Sequence, residues 1–444
     1  MKRRHFIKGL LGTGLITAGS CAFRVPLLSS AHATPLGSPV LIVIFQRGGC
    51  DGLNVTIPYG DPDYYALRPL APTSIGIPAP GQGEFSAIDL TDHFGINNGL
   101  FGLHPSMASL LPIYNAQNMA ILPTVHYPSP SHSHFSSQRY IESGVSKADF
   151  PGTDIDQQNG WLNRHLQAKI NFPLRAIGYG NKLTQALRGN TPVQSFSSIN
   201  AFNLGLSGIN RQTLINDAGA IYNELPSPLN SYRELVHQSG QTLFGNLDAI
   251  TAIDTNTYTV ENGALYPSNR FGRNLKEIAQ MIKHPNIGLE IVTIDAGGYD
   301  THSNQGAGEP TGRLSKKLQE FSTGIAALTT DLGTRMDNVI ILTMSEFGRT
   351  AKANASKGTD HGNAASWFVI GNKIQGGIYI RDQEPGGGWP GLADTNLYRG
   401  RYLASTVDYR DIFGDILNKH LAHDTSQFGT LLPGHNYNPL NLII

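Results

Sequence analysis

Val40-Leu41-Ile42-Val43-Ile44-Phe45-Gln46-Arg47-Gly48-Gly49-Cys50-Asp51-Gly52 opens the part of the chain that can fold. Six consecutive apolar residues match a strand buried on both faces, because a strand with one solvated face alternates polar and apolar residues. The glycines let the chain turn tightly where the strand ends. Asp51 then stands at the edge where open α/β sheets bind their ligands. A carboxylate there suits a hard metal ion, or it makes an Asx turn or helix cap.

The same pattern recurs downstream. Met119 to Val125, Leu289 to Ile294, Val339 to Met344 and Trp367 to Ile370 read as further strands. Apolar residues at Leu314, Leu318, Phe321, Ile325, Leu328 and Leu332 repeat every three or four positions, as on one face of a helix. Further helices are expected over Phe271 to Lys283 and Val407 to Leu421. Strands separated by helices predict an α/β protein with a mostly parallel sheet covered on both faces. Residues 150–285 are rich in Asn, Gly, Ser and Gln and weakly periodic, and are expected to form an irregular, partly helical insertion.

The 444 residues carry 33 Lys plus Arg against 33 Asp plus Glu, a balance that argues against a nucleic-acid binder held by charge. Charged residues are 15%, while Gly (50) and Pro (26) are abundant, which indicates a loop-rich globular chain. Residues 1–33 read as a secretory signal: Lys2-Arg3-Arg4, a short Gly-rich apolar run and Ala31-His32-Ala33. Arg3-Arg4 followed by x-Phe-Ile-Lys resembles the twin-arginine (Tat) signal. The run is too short to span a bilayer, and the residues before Cys21 make a poor lipidation site. Residues 34–444 are then one mature domain with no membrane span, net charge −5 (28 basic, 33 acidic residues) and one cysteine, Cys50. The expected location is periplasmic or secreted, with the Tat translocase as partner during export.

Polar residues collect where strands end. Strand two leads into His126-Tyr127-Pro128-Ser129-Pro130-Ser131-His132-Ser133-His134, with a helix starting at Ser133. A hydroxyl there faces the positive end of the helix, or is an ordinary cap. Asp300-Thr301-His302 is a two-ligand bite suited to Zn²⁺ or Mn²⁺. Ser345-Glu346-Phe347-Gly348-Arg349-Thr350 and Asp360-His361 complete the set. Each cluster has a structural alternative. Their convergence at the ends of one sheet points to a metal-dependent site.

These motifs, with Gly102-Leu103-His104-Pro105 and Gly160-Trp161-Leu162, resemble the Tat-exported bacterial family called domain of unknown function 1501, over roughly residues 38–420. That family is related to the alkaline phosphatase and sulfatase superfamily. The resemblance implies an alkaline phosphatase-like α/β/α sandwich and hydrolysis or transfer of phosphate or sulfate esters. It implies Asp51, Asp300, His302, Glu346, Asp360 and His361 as metal ligands and Ser133 as nucleophile. The cofactor expected is a divalent metal, Zn²⁺ or Mn²⁺ ahead of Mg²⁺ or Ca²⁺, and the substrate a small anionic ester. Arg349 or Arg47 would hold the ester oxygens bidentately or sit in ion pairs, and His126, His132 and His134 are candidates for general acid. Asp51, Ser133, Asp300, His302, Glu346 and His361 are expected to meet in one cleft. Phe347 stands where the superfamily places a ligating histidine. That substitution supports the alternative of a non-catalytic envelope scaffold. No C-x-P-x-R or S-x-P-x-R motif is present, which argues against a formylglycine sulfatase.

Overall fold

The computed structural model describes residues 38–149, 158–168, 174–201, 253–285, 287–381 and 388–444, with scattered positions between 213 and 250. The expected signal at 1–33 and part of the 150–285 region lie outside them.

Among the described residues the main sheet has nine strands: β1 Val40–Arg47, β2 Met119–His126, β3 Ala176–Tyr179, β4 Gln194–Phe196, β5 Ile291–Gly297, β6 Val339–Met344, β7 Ala365–Ile370, β8 Gly377–Ile378 and β9 Val407–Asp408. Their order is β8-β2-β7-β6-β1-β5-β3-β4, with β9 also on β2. β1 lies parallel to both β5 and β6, and β3 extends the parallel run to β4. β7 alone runs against its neighbours β2 and β6. A separate three-stranded sheet joins Thr56–Ile57, Gly102–Leu103 and Ile88–Asp89.

The unbroken apolar run of β1 follows from its two covered faces. Ile42 and Ile44 enter one core with Ile341, Phe368 and the buried stripe of Leu314, Leu318, Phe321, Ile325 and Leu328. Leu41, Val43 and Phe45 enter the other, with Trp161, Ile412 and Phe413. The stripe belongs to a helix at Arg313–Leu332, and Arg270–Lys283 packs beside it on the same face. On the opposite face are Trp161–Ala168 and Tyr409–Asp415. The layers are therefore helix, sheet, helix.

Two expectations need correction. The 150–285 region is not wholly an irregular insertion, because β3 and β4 come from it and form the sheet's edge. The late helix ends its regular part at Asp415 and continues as one wide π turn over Ile416–His420.

Candidate functional site

The β1 exit turns through Gly48 (φ 120°) and Gly49 (φ 69°). A Cβ on Gly48 would lie 2.5 Å from the Asp300 backbone nitrogen, so only glycine lets this turn pass against the β5 exit. Gly49 is covered by the Phe347 ring. Four chain segments meet around it: the turn itself, the segment after β2, the segment after β5, and the stretch from the end of β6 to the start of β7.

Three imidazoles and one carboxylate converge here. Among the described residues, ligand atoms of His134, Asp300 and His361 lie within 4.8 Å of one another. His302 joins them, its Nε2 3.0 Å from Asp300 Oδ1 and 3.1 Å from His361 Nε2. Each ring has its other nitrogen pinned. His134 Nδ1 donates to Glu346 Oε1 at 2.8 Å, His302 Nδ1 to Asp360 Oδ1 at 3.1 Å, and His361 Nδ1 to the His132 carbonyl at 2.7 Å. With those protons fixed on Nδ1, a neutral ring presents its Nε2 lone pair to the cluster. His134 Nε2 is buried with no hydrogen-bond partner.

The supporting side chains are buried. Glu346 is fully buried, and Gly48 N–H and Gln138 Nε2 donate to it beside His134. Burial pushes its carboxyl up, but these donors win and hold it below the usual carboxylate range. Glu346 in turn raises His134, while burial lowers His361. Phe347, fully buried, lies 4.9 Å from the His134 ring and 4.8 Å from the His361 ring. It is the apolar backing of both.

Several expected roles change. Asp51 does not join the cluster: Arg68 grips it with two bonds, at 2.7 and 2.9 Å, and Gln305 Nε2 donates to it at 2.6 Å. Glu346 and Asp360 hold the rings of His134 and His302 rather than face the cluster's centre. Arg349 donates to the carbonyls of Gly48, Gly49, Tyr299 and Thr359 and to Asp300 at 2.5 Å. Buried and so engaged, it positions Asp300 and has no face for substrate oxygens. Arg47 is paired with Glu142 and Asp295. His126, whose pKa burial lowers to about 3, is a neutral ring rather than an acidic imidazolium at neutral pH, and burial lowers His132 as well. His134 points Nε2 at Asp300 and is a ligand candidate rather than an acid. Ser133 keeps its expected place as N-cap of the helix His134–Ser143, is exposed, and spends no side-chain bond on capping.

Sequence reading missed Arg68 and Gln305. Gln305 Oε1 accepts from Thr301 Oγ1 at 2.7 Å and from Thr359 Oγ1 at 2.9 Å. It thereby staples the Asp300–His302 loop to the Asp360–His361 loop and ties both to Asp51. His104, from the Gly-Leu-His-Pro motif, donates Nε2–H to Ala307 just beyond.

A model of the family described as "Protein of unknown function (DUF1501)" matches residues 39–424. The chain belongs to this DUF1501 family. No curated protein matches it. Among solved structures it is similar to Ps i-CgsB in complex with k-i-k-neocarrahexaose, at 10% identity over 88% of this chain and 73% of that one, TM-score 0.36. It is also similar to a protein in the alkaline phosphatase superfamily from Vibrio parahaemolyticus (9%, 86% and 72%, TM-score 0.29) and to a 2-O GAG sulfatase (11%, 76% and 65%, TM-score 0.30). Likeness at that level assigns no activity to this DUF1501 protein. Among the described residues no helix is long and apolar enough to cross a membrane.

Proposed function

We propose that this DUF1501 protein is a metal-dependent hydrolase of small phosphate or sulfate esters, with one divalent ion held by His134, Asp300, His302 and His361. The observation that carries the reading is the convergence of three oriented Nε2 atoms and a carboxylate. Lone pairs and a negative oxygen at 3.0–3.6 Å repel one another unless a proton or a metal cation lies between them, and three Nε2 atoms around one carboxylate offer a metal four converging donors. Three nitrogens and one oxygen suit Zn²⁺ first and Mn²⁺ second. One ion is expected rather than two, because Asp51 and Glu346 are already saturated by protein donors.

A bound ion would supply Lewis-acid polarisation of the ester and a lowered pKa for an adjacent hydroxyl. Ser133, next to the ligand His134, carries the free hydroxyl. Its oxygen forms the bond to phosphorus or sulfur as the bond to the ester oxygen breaks; at this exposed position the hydroxyl proton passes to solvent and the departing alkoxide takes one up, and a water then breaks the new Ser133 O–P or O–S bond, releasing phosphate or sulfate and restoring the hydroxyl. The opening N–H groups of the helix that Ser133 caps offer positive partial charge to the ester's remaining oxygens. Arg349 and Glu346 keep Asp300 and His134 in place throughout.

The test is metal analysis of purified protein together with turnover of phosphate monoesters, phosphate diesters and sulfate esters with Zn²⁺, Mn²⁺, Mg²⁺ or Ca²⁺. One equivalent of metal is expected. Ser133→Ala should lower turnover at least ~100-fold with metal retained, the lower end of what one positioned group contributes, and His361→Ala should lose metal and turnover together. Metal without turnover would support a binding scaffold. We also propose Tat-dependent export: Arg3→Lys with Arg4→Lys should leave precursor in the cytoplasm, and efficient export of that variant would defeat the assignment.

A further inference from the structure

One wall of the cluster is a closed turn at residues 398–402. Tyr398 N–H donates to the Tyr402 carbonyl at 2.8 Å, and Tyr402 N–H returns the bond at 3.1 Å. The turn is pinned to the segment after β6, since Thr350 bridges to Tyr402 and Ala351 N–H donates to the Arg401 carbonyl. The Tyr402 ring lies 4.6 Å from the His132 ring, whose carbonyl holds His361. Two guanidinium groups project from this wall. Arg401 rests 5.6 Å over Tyr402 and reaches Asp360 at 3.3 Å, the carboxylate that orients His302. Arg399 rests 5.1 Å over Tyr398, is exposed, and has no acidic partner among the described residues. Its backbone is left-handed (φ 55°), an uncommon state for a residue other than glycine.

Two arginines against one carboxylate leave net positive charge next to a site that itself draws an anion. Stacking on an aromatic face holds a guanidinium in place while its N–H fork stays open to a planar or tetrahedral anion. We propose that the Tyr398–Tyr402 turn is a second anion-binding element and that the ester taken here carries two anionic groups, one at the His134–Asp300–His361 cluster and one on Arg399 and Arg401. This rests on the hydrolase reading and narrows its substrate class to doubly anionic esters.

The probes are fructose 6-phosphate and fructose 1,6-bisphosphate, titrated calorimetrically into the zinc-loaded mature chain at low salt. The quantity read is the affinity ratio within each protein. Wild type is expected to favour the bisphosphate at least tenfold. Arg399→Glu, an exposed change that leaves the fold intact, should bring that ratio below two, and Arg399→Lys should keep most of it. Raising salt to 0.5 M should shrink the wild-type ratio, since the turn's charges are exposed and screened. A wild-type ratio below two, or an unchanged ratio in Arg399→Glu, overturns the proposal while leaving the hydrolase reading standing. Failure of both sugar phosphates to bind the zinc-loaded protein also overturns the proposal, while the hydrolase reading stands or falls on the turnover panel above.

Discussion

Glu346 shows how much of the site depends on groups that never face its centre. Its carboxylate fixes the proton of His134 on Nδ1, which leaves the Nε2 lone pair facing the cluster, as the proposed metal site requires. Glu346→Gln keeps the shape but presents an amide that can turn its NH₂ to the ring. We expect zinc affinity to fall about 10- to 100-fold, the usual cost of losing such an orienting partner, read by competition with a chromophoric chelator. Asp51 presents a different case. Arg68 and Asp51 are both fully buried, so Asp51→Asn strands a guanidinium out of water. The expected loss is about 3–5 kcal/mol in urea unfolding, with metal stoichiometry still one. Loss of metal with unchanged stability would restore Asp51 as a ligand. The sequence marks Asp51 as special without saying why, because its partners Arg68 and Gln305 lie 17 and 254 positions away and form no local pattern. Ser133, Asp300, His302 and His361 stand out by type and position. The place of His134 in the cluster becomes legible only when Glu346 is seen beside it.

At the scale of elements, legibility follows the length of the apolar signal. β1, β2 and β6 span eight, eight and six residues, are buried on both faces, and were readable. β3 and β4, Ala-Ile-Gly-Tyr and Gln-Ser-Phe, have four and three residues, with too few large apolar side chains to stand out in a polar stretch. Nothing in the composition of β7 announces that it runs antiparallel, a property set by the path of the chain. The helix Arg313–Leu332 is legible from the stripe Leu314 to Leu332, which repeats over about five turns and lies within it. Leu318 is fully buried in that stripe, so Leu318→Ala should cost about 2–5 kcal/mol, measured by urea unfolding, with one metal still bound. The Gly49 turn behaves oppositely. A Cβ there would meet the Phe347 ring at 2.3 Å, so Gly49→Ala should displace the backing of His134 and His361 and weaken metal binding by more than it weakens the fold.

For the whole molecule, the sandwich carries its site at one end of the sheet and distributes buried neutral histidines through the rest. His104, His126 and His420 have pKa values pushed down by burial from 6.5 to about 4, about 3 and about 4. His104 donates to the Ala307 carbonyl, and His420 is 3.0 Å from the carbonyl of Val40, where β1 begins. A depressed imidazole pKa means that the unfolded chain binds the proton more readily than the folded one. Their contribution to stability is therefore complete above pH 6.5 and is lost as pH falls from 6.5 toward 4, continuing toward 3 for His126. Each contributes up to about 1.4 kcal/mol per pH unit inside that window. Glu290, held near 2 by His165 and Arg175 against the upward push of burial, adds a second loss only below about 4.5. Urea midpoints of chelator-treated protein should hold level from pH 8 to 7 and fall between 6.5 and 4, before most carboxylates titrate. Chelation removes the coupling between metal and ligand protons, which would otherwise steepen the same interval. His104→Gln substitutes a side chain that cannot ionise. It should unfold at lower urea at pH 8, yet show a shallower decline below 6.5. An equally steep decline in that variant would show that His104 does not carry this linkage, and would shift the acid sensitivity to His126 and His420.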